Sequence, residues 1–439
     1  MSISPKRRQE IIDALRRGTV PRSSLDALAV GLEPFHDTVR DELERVSAGG
    51  SVFKAVRGEY GCGKTFFARW LCDLARKRGF VTSEVQISET ETPLYRLETV
   101  YRRLAENLST ADKETGALRN LVDGWFFTLE EDVLSGGTVG EKDTALLLER
   151  TNEQVETRLR RIGDQAPSFS AALRGYRNAQ AAGRSEFSDA LLAWLGGQPN
   201  VAAAAKRYAG IKGDLDHFGA LGFLQGMLYM VRDAGHAGML LVLDEVETIQ
   251  RMRGDVRGKS LNALRQLIDE IDSGRFPGLY LLITGTSAFF DGYQGIARLE
   301  PLAQRLHVDF VTDAKFDNPR AVQIRLAPFS LQRLTDVGVR VRDIYREQAR
   351  ARERIERHCD NQYIQTLAEA VTGKLGGKTG IAPRIFLKKL VADILDRIDQ
   401  YEDFQPCQHY ALTLSDSELN LVERQALGAN DVNDIELDL

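Results

Sequence analysis

Residues 58–65 read Gly58-Glu59-Tyr60-Gly61-Cys62-Gly63-Lys64-Thr65. This is the full G-x-x-x-x-G-K-[ST] pattern, and it restricts the fold more sharply than any other stretch of the chain. Its glycines allow a turn that aims successive backbone N–H groups at a single anion. A helix opening at Lys64 adds the positive end of its dipole. Such a loop works between a strand and a helix. Both are expected here: 51–57 reads as a short strand, and 64–78 as an amphipathic helix. The spacing predicts that Lys64 meets the β- and γ-phosphates of ATP and that the Thr65 hydroxyl ligates Mg2+. Glu59, Tyr60, Gly61, Cys62 and Gly63 form the cradle, with Gly58 at its entry and Phe66 on the first helical turn.

A shorter echo lies at Gly376-Gly377-Lys378-Thr379. Five positions before Gly377 stands Thr372, where the pattern needs glycine, and helical spacing rather than a strand precedes it. It reads as a loop between helices.

Residues 239–243 are continuously apolar and end in Asp244-Glu245. A buried strand of that kind carries its acids to the carboxyl edge of a parallel sheet, where open α/β sheets bind ligands. Asp244 is expected to hold magnesium. Glu245 is expected to orient and deprotonate the attacking water, with Glu247 the next acid able to take that role. A further strand over 279–284 runs into Gly285-Thr286-Ser287. Thr284 or Thr286 either hydrogen-bonds the γ-phosphate or the water, or simply starts a loop. Arg298 and Arg305 follow in the next helical segment. Each is either an arginine finger for a neighbour's nucleotide or ordinary surface charge. Arg384, after Pro383, opens a late helix; it either touches the γ-phosphate from a lid or is ordinary surface charge.

The rest of the chain frames these motifs. Strands are expected at 51–57, 80–87, 238–243, 279–284 and 321–326, each separated by helices. That alternation predicts an α/β fold of the P-loop NTPase kind, a five-stranded parallel sheet with helices on both faces. Residues 1–50 read as a helical segment with apolar positions at Ile11, Ile12, Leu15, Leu25, Leu28 and Leu32, interrupted by Gly18 and Pro21. The core is expected over 51–92 and 237–328. Between them, 93–236 loses the strand signal and reads as a helical insertion, with loops at Gly136-Gly137 and Gly196-Gly197. A C-terminal helical lid follows over 329–410, then an acidic tail over 411–439. With 43% apolar residues in 439, the chain can fill a sheet core and further helical layers.

Lysine plus arginine (58) nearly balances aspartate plus glutamate (63), so a uniformly basic nucleic-acid coat is excluded. A local stripe is not. Arg346, Arg350, Arg354 and Arg357 recur at helical spacing and would line one face, from which they could follow DNA phosphates. Asp343, Glu347, Glu353 and Glu356 interleave with them, which is also the mark of a solvated, mixed-sign face. Four cysteines without a C-x-x-C pair make neither a disulfide framework nor a zinc site, and point to reduced thiols in the cytoplasm. No signal peptide is evident, and no apolar run nears the roughly 18 residues of a membrane span.

In chain order, Lys64, Thr65, Asp244, Glu245, Thr284 with Thr286, Arg305 and Arg384 resemble the functional positions of AAA+ ATPases of the origin-recognition/Cdc6-like and signal-transducing (STAND) branch. The resemblance covers roughly residues 20 to 400. It implies that Val20 and Pro21 touch adenine and that the protein forms a homo-oligomer. Residues 4–21, 56–71 and 85–94 are similar to a narrower family, the bacteriophage-exclusion (BREX) ATP-binding proteins of the BrxD kind. That similarity implies a bacterial antiviral role alongside other defence proteins, including a superfamily 2 helicase, with DNA as a partner. Two departures stand out. Lys64 and Asp244 are 180 positions apart, longer than a minimal AAA+ core. The 55 residues after Arg384 are short for the winged-helix DNA-binding domain of the origin-recognition branch.

Two functions fit the residues. One is an ATPase that couples hydrolysis to remodelling DNA or a DNA-bound complex. The other is a nucleotide-gated switch or scaffold with incidental turnover. A small-molecule kinase fits less well, since no acceptor-binding motif accompanies the loop.

Overall fold

The computed structural model describes residues 3–136, 144–377, 382–419 and 423–424. Lys378 and Thr379 of the second glycine-lysine run, and most of the acidic stretch from 420 onward, lie outside the described residues. Five strands form one sheet: β1 (Val52–Arg57), β2 (Val81–Gln86), β3 (Met239–Asp244), β4 (Leu279–Gly285) and β5 (Gln323–Arg325). They run parallel in the order β2-β3-β4-β1-β5. The α/β fold with a five-stranded parallel sheet and flanking helices is therefore the one the strand–helix alternation predicted.

The sheet order decides what meets at its carboxyl edge. β1, β3 and β4 each have neighbours on both sides and are buried along their whole length; β3 and β4 accordingly read as apolar runs, while β1 also buries Lys54 and Arg57, paired with Glu42 and Asp291. β4 lies between β1 and β3. The register pairs Val56 with Thr284 and Leu243 with Ile283, so the ends of β1, β4 and β3 finish in one row. On the far side, Gln86 pairs with Asp244.

Side chains alternate between two cores, as the strand period of two requires. On one face, Val52, Val56, Leu240 and Leu282 pack against helix Lys64–Lys77, through Phe67, Trp70 and Leu71, and against helix His36–Ser47. On the other, Ala55, Val85, Leu241 and Ile283 join helix Gly254–Asp272 and the helices between β2 and β3. That intervening stretch is made of helices. Its Trp125, Phe169 and Tyr176 belong to the same continuous core as the sheet face.

A third core unites the two ends of the chain. Ile11, Ile12 and Leu15 of helix Pro5–Arg16 pack with Leu334, Val337 and Val341 of helix Leu331–Arg346 and with Phe386. Arg16 clamps this junction, donating to both carboxylate oxygens of Asp396 at 2.6 and 2.9 Å. Phe66 touches this core and the sheet core together.

The single arginine stripe does not form. Helix Leu331–Arg346 ends at Arg346, and the chain turns before a separate helix, Arg352–His358. Arg346 pairs with Glu356 at 3.1 Å. Arg354 turns inward and donates to the Ile398 and Asp399 carbonyls at 3.0 and 3.1 Å, satisfying acceptors at a helix end.

Candidate nucleotide site

β1 runs directly into the glycine loop. Gly58 donates its N–H to the Gly285 carbonyl at 3.2 Å, tying the loop entry to the end of β4. A Cβ on Gly58 would lie 2.4 Å from Cys62 Sγ and 3.2 Å from the Leu326 carbonyl, so any side chain there would force Cys62 to move. Gly61 (φ 82°) and Gly63 (φ 96°) hold the left-handed conformation that glycine adopts without strain. Gly63 caps helix Lys64–Lys77 and accepts the Phe67 N–H at 2.8 Å. The first amides of that helix have no partner within it and face the loop's concavity.

Lys64 folds back beneath this loop. Its ammonium donates to the Gly58 and Glu59 carbonyls at 2.8 and 3.2 Å and lies 5.1 Å from the Tyr60 ring centre. Beside it, the Thr65 hydroxyl donates to Asp244 Oδ2 at 3.0 Å. The other Asp244 oxygen accepts a hydrogen bond from the Thr284 hydroxyl. Thr284 Oγ1 in turn accepts the Glu245 N–H at 3.1 Å. One chain of hydrogen bonds thus links loop, acid, β4 and the second acid. Glu245 itself sits at φ 60°, a left-handed conformation that costs a non-glycine residue about 1–3 kcal/mol and collects at functional sites. Its carboxylate accepts from Gln86 Nε2 at 2.8 Å.

These groups line a cleft of about 700 Å3 between the loop and the third core. Val20, Pro21, Leu28 and Val30 form one wall; Phe329, Val337, Pro383 and Leu387 form the other. An apolar slot with a few convergent polar groups at its floor is the usual form of a small-ligand site. A larger cleft of about 1190 Å3 runs beside β2, and within it Arg69 pairs with Glu84 and Lys77 with Asp26.

The expected residues divide clearly. Val20, Pro21, Tyr60, Gly61, Cys62, Gly63, Lys64, Thr65, Phe66, Asp244, Glu245 and Arg384 line the cleft together. Glu59 contributes its carbonyl, and Gly58 its close approach to Cys62. Thr284 is fully buried behind Asp244, and Thr286 is the N-cap of the short helix Ser287–Asp291. Arg298 is exposed, and Arg305 pairs with Asp269 at 2.6 Å; neither lines the cleft. Arg384 reaches the cleft while paired with Glu423 and donating to the Glu418 carbonyl at 2.6 Å.

Several residues in or beside the cleft were missed or underrated in the sequence. Gln86 becomes adjacent to Glu245 only through the sheet order. Arg333 opens helix Leu331–Arg346 and lines the cleft beside Gly31. Glu247 is 5% exposed and lies 3.9 Å from the Lys64 ammonium. Burial pushes its carboxyl up to about 7, against the opposing pull of Lys64. The signal for it was the third acid in the run that follows β3.

A strand–loop–helix phosphate cradle facing an acid at the end of β3, on a parallel sheet, defines a P-loop nucleotide-binding protein. The family of BREX system ATP-binding proteins BrxC/D matches residues 3–414, and the chain belongs to that family, whose members bind ATP within a phage-defence system. No curated protein matches the chain. Among the described residues, no helix is long and apolar enough to cross a membrane.

Proposed function

We propose that this protein binds ATP with magnesium in the cleft and hydrolyses it. In this reading it is an AAA+-like, self-associating cytoplasmic ATPase that couples turnover to remodelling or recognition of DNA, or of a DNA-bound defence complex that includes a superfamily 2 helicase. The observation that carries the reading is the hydrogen-bond chain from Thr65 through Asp244 and Thr284 to Glu245. Thr65 and Asp244 offer hard oxygen donors side by side, the set that magnesium takes alongside phosphate oxygens. When bound, the ion neutralises phosphate charge.

Each residue then has a task. The loop amides and Lys64 hold the phosphates, and Val20 and Pro21 face the base. Glu245 accepts the proton of the attacking water. Arg384 reaches the γ-phosphate once it is released from Glu423, and Arg298 or Arg305 serves a neighbouring subunit.

The test is ATP turnover with magnesium, with and without single- and double-stranded DNA. Lys64→Ala is expected to lose ATP binding. Glu245→Gln is expected to keep binding and to lose about 100- to 10,000-fold in turnover. Unchanged turnover in Glu245→Gln would move the base elsewhere.

The Gln86–Glu245 hydrogen bond favours a second reading, in which ATP binding assembles partners while the base is held back. ATP-dependent assembly with slow turnover, indifferent to DNA, would select it.

A further inference from the structure

Glu247 stands on the 3-10 turn Val246–Arg251, just past the acidic end of β3. It lines the cleft, yet neither of its carboxylate oxygens has a hydrogen-bond partner beyond its own backbone N–H. A buried carboxylate normally satisfies its lone pairs, because an unmet polar group loses its water for nothing in return. The cation facing it is Lys64, at 3.9 Å, which is ion-pair range but too long for a hydrogen bond. The other charged or titratable groups around it are Asp244 and Glu245, of like sign, and the Tyr60 phenol, which also feels Arg251.

Lys64 is therefore drawn two ways. Its ammonium is held by two loop carbonyls and attracted by Glu247, and it is the same ammonium that the phosphates require. We propose that Glu247 is a positioning residue that competes with the nucleotide phosphates for Lys64 and so holds ATP affinity down. The inference rests on the cleft being the ATP site. Neutralising Glu247 releases the ammonium and removes a like charge facing the triphosphate, so both effects tighten binding.

The experiment is calorimetric titration of ATP with magnesium into the wild-type protein, Glu247→Gln, Glu247→Met, Lys64→Ala and the Lys64→Ala, Glu247→Gln double variant, at pH 8. Melting curves confirm that each is folded. Glu247→Gln is expected to bind about three- to tenfold more tightly, the scale of one partly screened charge interaction. Glu247→Met, neutral and of similar volume, should show the same gain if charge is the cause. In the Lys64→Ala background the gain should shrink to the part owed to the removed like charge. Equal or weaker binding in both neutral variants, with Lys64→Ala still defective, overturns the inference and leaves the site standing. A gain of undiminished size without Lys64 overturns the route through Lys64. Wild-type affinity in Lys64→Ala overturns the site itself.

Discussion

Gln86, at the end of β2, donates its side-chain amide to the Glu245 carboxylate at 2.8 Å. The contact follows from the register that sets Gln86 beside Asp244. A carboxylate that accepts this bond is less free to take a proton from water. Gln86→Ala is therefore expected to raise basal ATP turnover by a few-fold, roughly the effect of one charge-assisted hydrogen bond weakened by solvent. Steady-state turnover at saturating ATP checks this. A fall in turnover would mean that Gln86 orients Glu245 for the reaction instead of restraining it.

Thr284 joins Asp244 to the Glu245 backbone from a fully buried position. Valine has its shape but neither of its hydrogen bonds. Thr284→Val is expected to lose about 1–3 kcal/mol of stability, because buried polar groups are left unpaired. Turnover should fall with it, since both acids lose a common anchor. Thr284→Ser should restore both properties in large part. Urea unfolding and turnover measured on the same samples decide the matter, and wild-type values for Thr284→Val on both would reject the bridging role.

What the sequence showed and what it hid follow from the range of each signal. The phosphate loop, the five strands and the acids after β3 are local patterns, so Lys64, Thr65 and Asp244 could be read directly and do meet. The arginine stripe failed because helical spacing was carried across the turn after Arg346, where Arg354 is drawn to the carbonyls at Ile398 and Asp399. Gln86 was hidden because its partner is 159 positions away and is brought close by sheet order alone. The pairing of helix Pro5–Arg16 with Leu331–Arg346 was hidden for the same reason, since apolar periodicity tells which face is buried but not against what.

Arg298 and Arg305 stand away from the cleft of their own chain, so a role in phosphate chemistry requires a second subunit. Arg305 is already engaged with Asp269 and with the Pro301 carbonyl at 2.9 Å. Arg298 is exposed and is the freer guanidinium of the pair. ATP is expected to drive self-association of the Glu245→Gln variant, visible by light scattering. In the otherwise wild-type protein, Arg298→Ala should lower turnover by about 1,000-fold or more while ATP affinity is kept, the magnitude typical of a finger supplied in trans. A monomer at saturating ATP would count against this arrangement, as would full activity in the Arg298→Ala, Arg305→Ala double variant.

Glu247 also links stability to pH, independently of any nucleotide. Burial raises its carboxyl from the ordinary 4.5 to about 7. Lys64 pulls the other way, but at 3.9 Å and without a hydrogen bond it does not offset the lost hydration. Between these two values the folded protein keeps a proton that the unfolded chain has released. Unfolding then releases that proton, so stability from this group falls as pH rises from about 4.5 and levels off above about 7. At about 1.4 kcal/mol for each unit, the full change amounts to about 3 kcal/mol. Glu247→Gln has no such proton. It should be more stable than wild type at pH 8 by up to about 3 kcal/mol, with the difference fading as pH is lowered toward 4.5. Urea midpoints of both proteins between pH 5 and pH 8 test this directly. A difference that stays constant across that range would show that Glu247 titrates as an ordinary carboxylate, with water or a hydrogen bond reaching its oxygens.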